Sequence, residues 1–213
     1  VPRVDGCGFL SETNPQSQFM NESEIIVVSG LPRSGTSLMM QMLAAGGIEI
    51  ITDAIREADY DNPRGYLEFE QVKKIKQDSS WLPEARRKAI KMVSQLLYDL
   101  PPGERYCVIF MERDLDEVLA SQEKMLARLG RPAAPRERMK AAFQTHLEQL
   151  DLWLAKQSHV AVIRVSYNSL LEEPVAHAQR ICEFLDRIMD VDAMIAAVDP
   201  QLYRNRQADS AAK

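Results

Sequence analysis

A chain of 213 residues is long enough to bury a full hydrophobic core without help from disulfides. Hydrophobic residues make up 46% and charged residues 27% of it, and no apolar run approaches the ~18 residues that a membrane-spanning helix needs. The net charge of −5 at pH 7 leaves no basic face for nucleic acid or an anionic membrane, so an anionic ligand must be met by a few placed arginines and backbone N–H groups.

Residues 1–19, VPRVDGCGFLSETNPQSQF, are irregular and rich in turn formers. They lack the basic and apolar regions of a signal peptide. They read as an appended or disordered leader, and a single domain is expected from Met20 to Lys213. IIVVS at 25–29 is a short β-branched run of the kind buried on both faces of a sheet. Thr36 to Ala45 reads as a helix apolar nearly all round, stopped by Gly46 and Gly47. A second short strand is expected at Ile48–Ile51. After the polar stretch TDAIREADYDNPRG, helical spacing resumes from Leu67 to Ile75 and again from Pro83 to Leu100. YCVIFM at 106–111 is strand-like, and Asp114 with Glu117 forms a capping box for the helix behind it. Val118, Gln122, Met125 and Leu129 mark that helix's inner side. From Pro135 to Lys156 a longer helix carries Met139, Phe143, Leu147, Leu150 and Leu154 on one stripe. VAVIRV at 160–165 is a strand, a last helix spans 175–187, and a polar tail begins at Gln201.

Continuously apolar strands alternating with helices predict an α/β fold, a parallel sheet flanked by helices in three layers. Ligands of such sheets lie at the carboxyl ends of the strands. Pro32–Ser37, Asp53, Arg113 and Ser166–Asn168 are therefore expected to converge on one edge. Cys7, Cys107 and Cys182 form neither a metal pattern nor a disulfide framework, which suits small buried thiols in a reducing, cytoplasmic setting.

The segment GLPRSGTS at 30–37, between the first strand and its helix, carries the chemistry. Gly30 and Gly35 permit a tight turn whose N–H groups can reach an anion, and the helix N-terminus adds partial positive charge. Thr36 and Ser37 supply hydroxyl donors, and Arg33 a planar fork that can grip two oxygens. Where a phosphate-binding loop of the kinase type would carry lysine, Thr36 stands. Metal-assisted triphosphate chemistry thereby loses a central part.

PRSGTS at 32–37 resembles the 5′-phosphosulfate loop of the sulfotransferases that use 3′-phosphoadenosine 5′-phosphosulfate (PAPS). In that family an arginine at a strand end and a serine two helical turns later clamp the donor's 3′-phosphate. Arg113 and Ser121 have this spacing, and RVSYNSLLEEP at 164–174 is similar to a third family stretch, in which Tyr167 and Leu170 support the fold. The resemblance implies a P-loop nucleotide-kinase-like fold and transfer of a sulfuryl group from PAPS to an acceptor hydroxyl or amine. It further implies that no metal is required and that the acceptor is a small molecule, glycan or lipid. Pro32, Arg33, Ser34, Gly35, Thr36, Ser37, Arg113 and Ser121 are the implied donor-binding residues, with Tyr203 and Arg204 of LYRNR as a closing basic loop.

The acceptor's proton needs a base. Asp53, just after IEIIT, and Glu57 one turn on are the first candidates, with Asp59 and Glu68 behind them. His146, on the apolar stripe of FQTHLEQLDLWL, is the other, in a stretch that resembles an acceptor-pocket wall of the family; His159 and His177 have no supporting context. Two rivals stand beside this reading. A nucleoside or small-molecule kinase would demand magnesium and ATP, and a non-catalytic nucleotide-binding module would bind the donor product without turnover.

Overall fold

The computed structural model describes residues 23–53, 55 and 65–198. The leader, Glu57, Asp59, Tyr203, Arg204 and the polar tail lie outside the described residues. Among the described residues no helix is long and apolar enough to cross a membrane.

Four parallel strands form one sheet: β1 (Ile25–Gly30), β2 (Ala89–Lys91), β3 (Tyr106–Glu112) and β4 (Val160–Ser166), in the order β2-β1-β3-β4. All six residues of β1 are buried. Burial of each Ile or Val stabilises by roughly 1.5–3 kcal/mol, which fixes the strand on which the glycine-rich loop stands. Alternation divides the side chains between two cores. Ile26, Val28, Ile109, Met111 and Val165 meet the helices α1 (Thr36–Ala45), α4 (Tyr167–Glu172), α5 (Pro174–Leu185) and α6 (Val191–Ala196). Ile25, Val27, Ile90, Val108 and Phe110 meet the helix α3 (Arg136–Leu154) and short stretches of 3-10 helix at Glu70–Lys74, Leu82–Ala85 and Ser94–Asp99. The expected three-layer α/β architecture is present.

The bounds of α1 agree with the sequence reading, and so does the core stripe of α3, where Phe143, Leu150 and Leu154 are buried. Helix α2 (Leu115–Arg128) is capped by Asp114 Oδ1, which accepts from the N–H groups of Asp116 and Glu117. Its outer end differs from expectation: Leu129 is 56% exposed, and the buried residues are Glu117, Val118, Leu119 and Ser121.

Four expectations are corrected. Ile48–Ile51 contributes a single bridge, Ile50 to Ala89, and no strand. The second strand of the sheet falls inside the span read as a helix from 83 to 100. There Arg87 adopts a left-handed φ of 66°, which ends any helix, and Ala89 to Lys91 then pair with β1. The turns of 3-10 helix on either side supply the apolar spacing that imitates a longer helix. The span 67–75 holds only the 3-10 turn, and after β4 the described residues form three helices where one was expected.

Candidate active site

β1 ends in Gly30, whose φ is 153°; a Cβ there would lie 2.6 Å from the Met111 carbonyl oxygen, so a side chain is excluded by β3 itself. Leu31 turns inward onto Val118, Leu119 and Phe143 and pins the loop to α2 and α3. The Ser34 N–H bonds the Leu31 carbonyl at 3.1 Å. Arg33 takes a left-handed φ of 72° and Gly35 one of 101°. For arginine that conformation costs roughly 1–2 kcal/mol, sustained only because its surroundings hold it. α1 then starts at Thr36 with no side-chain cap, leaving its first N–H groups directed at the loop. Ser34 Oγ is buried without a hydrogen-bond partner.

The two arginines singled out from the sequence are in contact. Arg33 Nε donates to Ser121 Oγ at 2.9 Å, and Arg113 Nη1 donates to the Arg33 carbonyl at 3.2 Å. Arg113 Nε also donates to Glu117 Oε2 at 2.9 Å, and its guanidinium lies 4.5 Å from the centre of the Tyr167 ring. Glu117 Oε1 accepts from Asn168 Nδ2 at 3.2 Å. Tyr167 closes the set: a Cβ on Gly35 would approach its Cε2 to 2.9 Å and its Cδ2 more closely still. Three segments far apart in sequence thus meet: loop 30–37, Arg113 with the first turns of α2, and the start of α4. Ser166 itself caps α4 by accepting from the Ser169 N–H.

Lys91, unremarked in the sequence, completes the loop. It ends β2 with its side chain only 9% exposed, and Nζ bonds the Tyr66 carbonyl, lies 3.3 Å from Ser37 Oγ and 3.6 Å from Glu68 Oε1. A cation missing at Thr36 is supplied from the neighbouring strand. The three residues AIK carry no periodic signal of their own, and the helix-like spacing around them hid the strand.

The proposed bases fall in different surroundings. Asp53 is a brace: Oδ1 accepts from the Ile55 N–H at 3.1 Å and Oδ2 from the Glu70 N–H at 2.5 Å. The Glu70 bond above all holds its carboxyl below the usual range. Together with the Asp53 N–H and Thr52 Oγ1, which both donate to the Glu68 carbonyl, it fixes the segment bearing Glu68 beside Lys91. His146 Nε2 lies 2.9 Å from Ser94 Oγ, with Tyr98 edge-on at 6.0 Å. Burial pushes its pKa down, so the ring is neutral at pH 7. His177 pairs with Ser169 Oγ at 3.0 Å within the core.

Residues 104–190 match the family model described as the sulfotransferase family. The sulfotransferase domain of the olefin synthase from Synechococcus PCC 7002 superposes with a TM-score of 0.54 at 13% identity, over 91% of this chain and 84% of that one. Sulfotransferase STF1 from Mycobacterium tuberculosis H37Rv gives 0.51 at 12% identity, over 93% of this chain and 76% of that one. These two likenesses speak for the fold. No curated protein matches the sequence significantly.

Proposed function

We propose that this chain is a sulfotransferase that takes its sulfuryl group from PAPS and passes it to the hydroxyl or amine of a small-molecule, glycan or lipid acceptor. The observation that carries the reading is the meeting of Arg33 and Arg113 at the ends of β1 and β3, joined through the Arg33 carbonyl. One arginine stands in an N–H-lined loop and the other a strand away, which suits a ligand with an anionic group at each end. The residues fit the donor in one further respect: Ser34 Oγ is buried in the loop with no hydrogen-bond partner.

When bound, PAPS supplies the activated sulfuryl group. Arg33, the N–H groups of the loop, and the Thr36 and Ser37 hydroxyls hold the 5′ end and balance charge that grows on the leaving phosphate. Lys91, against Ser37, adds a cation that stays in place because Glu68 and the Tyr66 carbonyl anchor it. Arg113 and Ser121 hold the 3′-phosphate. Glu68 is the proton acceptor best supported by position, because Lys91 ties its carboxylate to the loop. Asp53, already accepting two backbone N–H groups with its pKa lowered, is the brace for that segment. As the acceptor oxygen or nitrogen bonds sulfur, its proton goes to Glu68, the bond from sulfur to phosphate breaks, and adenosine 3′,5′-bisphosphate leaves. Positioning and charge account for such a loose in-line transfer. A second reading gives the proton to His146, favoured by its neutral ring. The free thiols of Cys107 and Cys182 fit a reducing, cytoplasmic setting.

Calorimetric titration with adenosine 3′,5′-bisphosphate and with ATP, each with and without magnesium, tests the assignment. Metal-independent binding of the bisphosphate, lost in Arg113→Ala, supports it. Preference for ATP with magnesium makes the chain a kinase; bisphosphate binding without sulfation of any acceptor makes it a nucleotide-binding module. Of Glu68→Gln and His146→Gln, the one that abolishes turnover while sparing bisphosphate affinity identifies the base.

A further inference from the structure

The anion site contains an anion of its own. Glu117 sits on the first turn of α2 with its side chain 4% exposed, paired with an Arg113 side chain that is 7% exposed. A carboxylate there repels an incoming phosphate, because like charges disfavour each other where water is excluded. Its bonds give it a use that offsets this. Arginine is a long side chain with about 2 kcal/mol of rotamer entropy, and its planar fork is selective only when the plane is fixed. Three contacts fix the plane of Arg113: Glu117 Oε2 on Nε, the Arg33 carbonyl on Nη1, and the Tyr167 ring against its face. Asn168 then holds Glu117 through Oε1. Tyr167 and Asn168 are consecutive residues at the start of α4, so this helix supports Arg113 twice: directly by the ring, and through Glu117 by the amide.

We propose that Glu117 is the positioning residue for Arg113: with Asn168 it holds the guanidinium in the orientation that meets the 3′-phosphate of the donor. The proposal rests on the reading of Arg113 as a 3′-phosphate ligand. It differs from a purely structural role, in which Glu117 would only neutralise a buried cation, and from a gatekeeping role, in which its charge would weaken phosphate binding.

The probes are adenosine 3′,5′-bisphosphate and adenosine 5′-monophosphate, which differ only in the 3′-phosphate. They are titrated into the wild type, Glu117→Gln, Asn168→Ala, Arg113→Ala and the double variant Arg113→Ala with Glu117→Gln. The wild type is expected to favour the bisphosphate strongly. Glu117→Gln and Asn168→Ala should each weaken the bisphosphate roughly 10- to 150-fold, the range of one hydrogen bond to a charged group, and leave the monophosphate unchanged. In the Arg113→Ala background, Glu117→Gln should cost nothing further, since residues acting through one another are not additive. Bisphosphate binding by Glu117→Gln as tight as the wild type, or tighter, overturns the proposal. So does an equal loss for both nucleotides, or a full loss in the Arg113→Ala background. Should Glu117→Gln fail to fold, Asn168→Ala carries the same comparison. A wild type that makes no distinction between the two nucleotides removes Arg113 as the 3′ ligand and the proposal with it, an outcome visible before any Glu117 variant is made.

Discussion

Lys91→Met removes a charge while keeping most of the stem's volume, and so isolates what the ammonium does. The pair it breaks is poorly solvated: the Lys91 side chain is 9% and that of Glu68 27% exposed, with 3.6 Å between Nζ and Oε1. At an effective dielectric near 20 the Coulomb attraction at that distance is about 4.6 kcal/mol, much of it offset by desolvation. Stranding a buried partner costs about 3–5 kcal/mol; Glu68 retains some water, so about 2–3 kcal/mol is expected. For a chain of this size each kcal/mol shifts the melting temperature by about 2–4 °C, giving a fall of roughly 4–12 °C by scanning calorimetry. Turnover should fall further than stability explains. Losing a charged contact to Ser37, worth about 1.5–3 kcal/mol, corresponds to ~10- to 150-fold in kcat/KM. Adding Glu68→Gln to Lys91→Met relieves the stranded carboxylate and should restore much of the melting temperature without restoring sulfation. The reasoning fails if Lys91→Met turns over at the wild-type rate, or if the double variant regains activity along with stability.

Two further outcomes follow from the same geometry. Gly35→Ala should lose bisphosphate binding in a titration and lower the melting temperature. Its φ of 101° costs an alanine at least ~1–2 kcal/mol, and its Cβ enters the space of the Tyr167 ring. Adding Tyr167→Ala should recover part of the stability but not the binding; full recovery of both would mean that the left-handed turn is dispensable. The stability of the wild type should fall as pH drops below about 6.5, the usual histidine value. His146 and His177 both have pKa values lowered chiefly by burial, so the unfolded chain binds more protons than the folded one there. Melting curves from pH 7.5 to 5.5 should show a slope that His146→Gln with His177→Gln reduces; an unchanged slope would place the acid sensitivity elsewhere.

What the sequence disclosed depended on how locally each feature is determined. β1, its loop and α1 were legible because a fully buried strand, two glycines and an apolar helix each satisfy rules that reach only a few residues. Asp114 was legible as a cap for the same reason, and the Arg113–Ser121 spacing because strand end and helix are contiguous. β2 was not: three residues have no periodicity of their own, and their strand geometry is imposed by pairing with β1, more than sixty positions away. Lys91 was lost with it. Glu117 was read as half of a capping box, but its carboxylate turns to Arg113 and Asn168, because a buried cation and an amide outcompete a backbone N–H for a charged acceptor.

Those two misreadings bear on how a chain of net charge −5 would hold the polyanionic donor proposed for it. The cations around the loop are few, and each is tethered: Lys91 to Glu68, Arg113 to Glu117, Arg33 to the Ser121 hydroxyl. Free surface lysines would attract anions of every kind and be screened by salt within ~8 Å. A cation held by a buried acid gives up part of its attraction in return for a fixed position. It then favours a ligand whose two anionic groups match the spacing of the loop and of Arg113 over a more highly charged one that does not. Selectivity in such a site comes from the carboxylates as much as from the arginines, so neutralising Glu117 should cost discrimination even though it makes the pocket more positive.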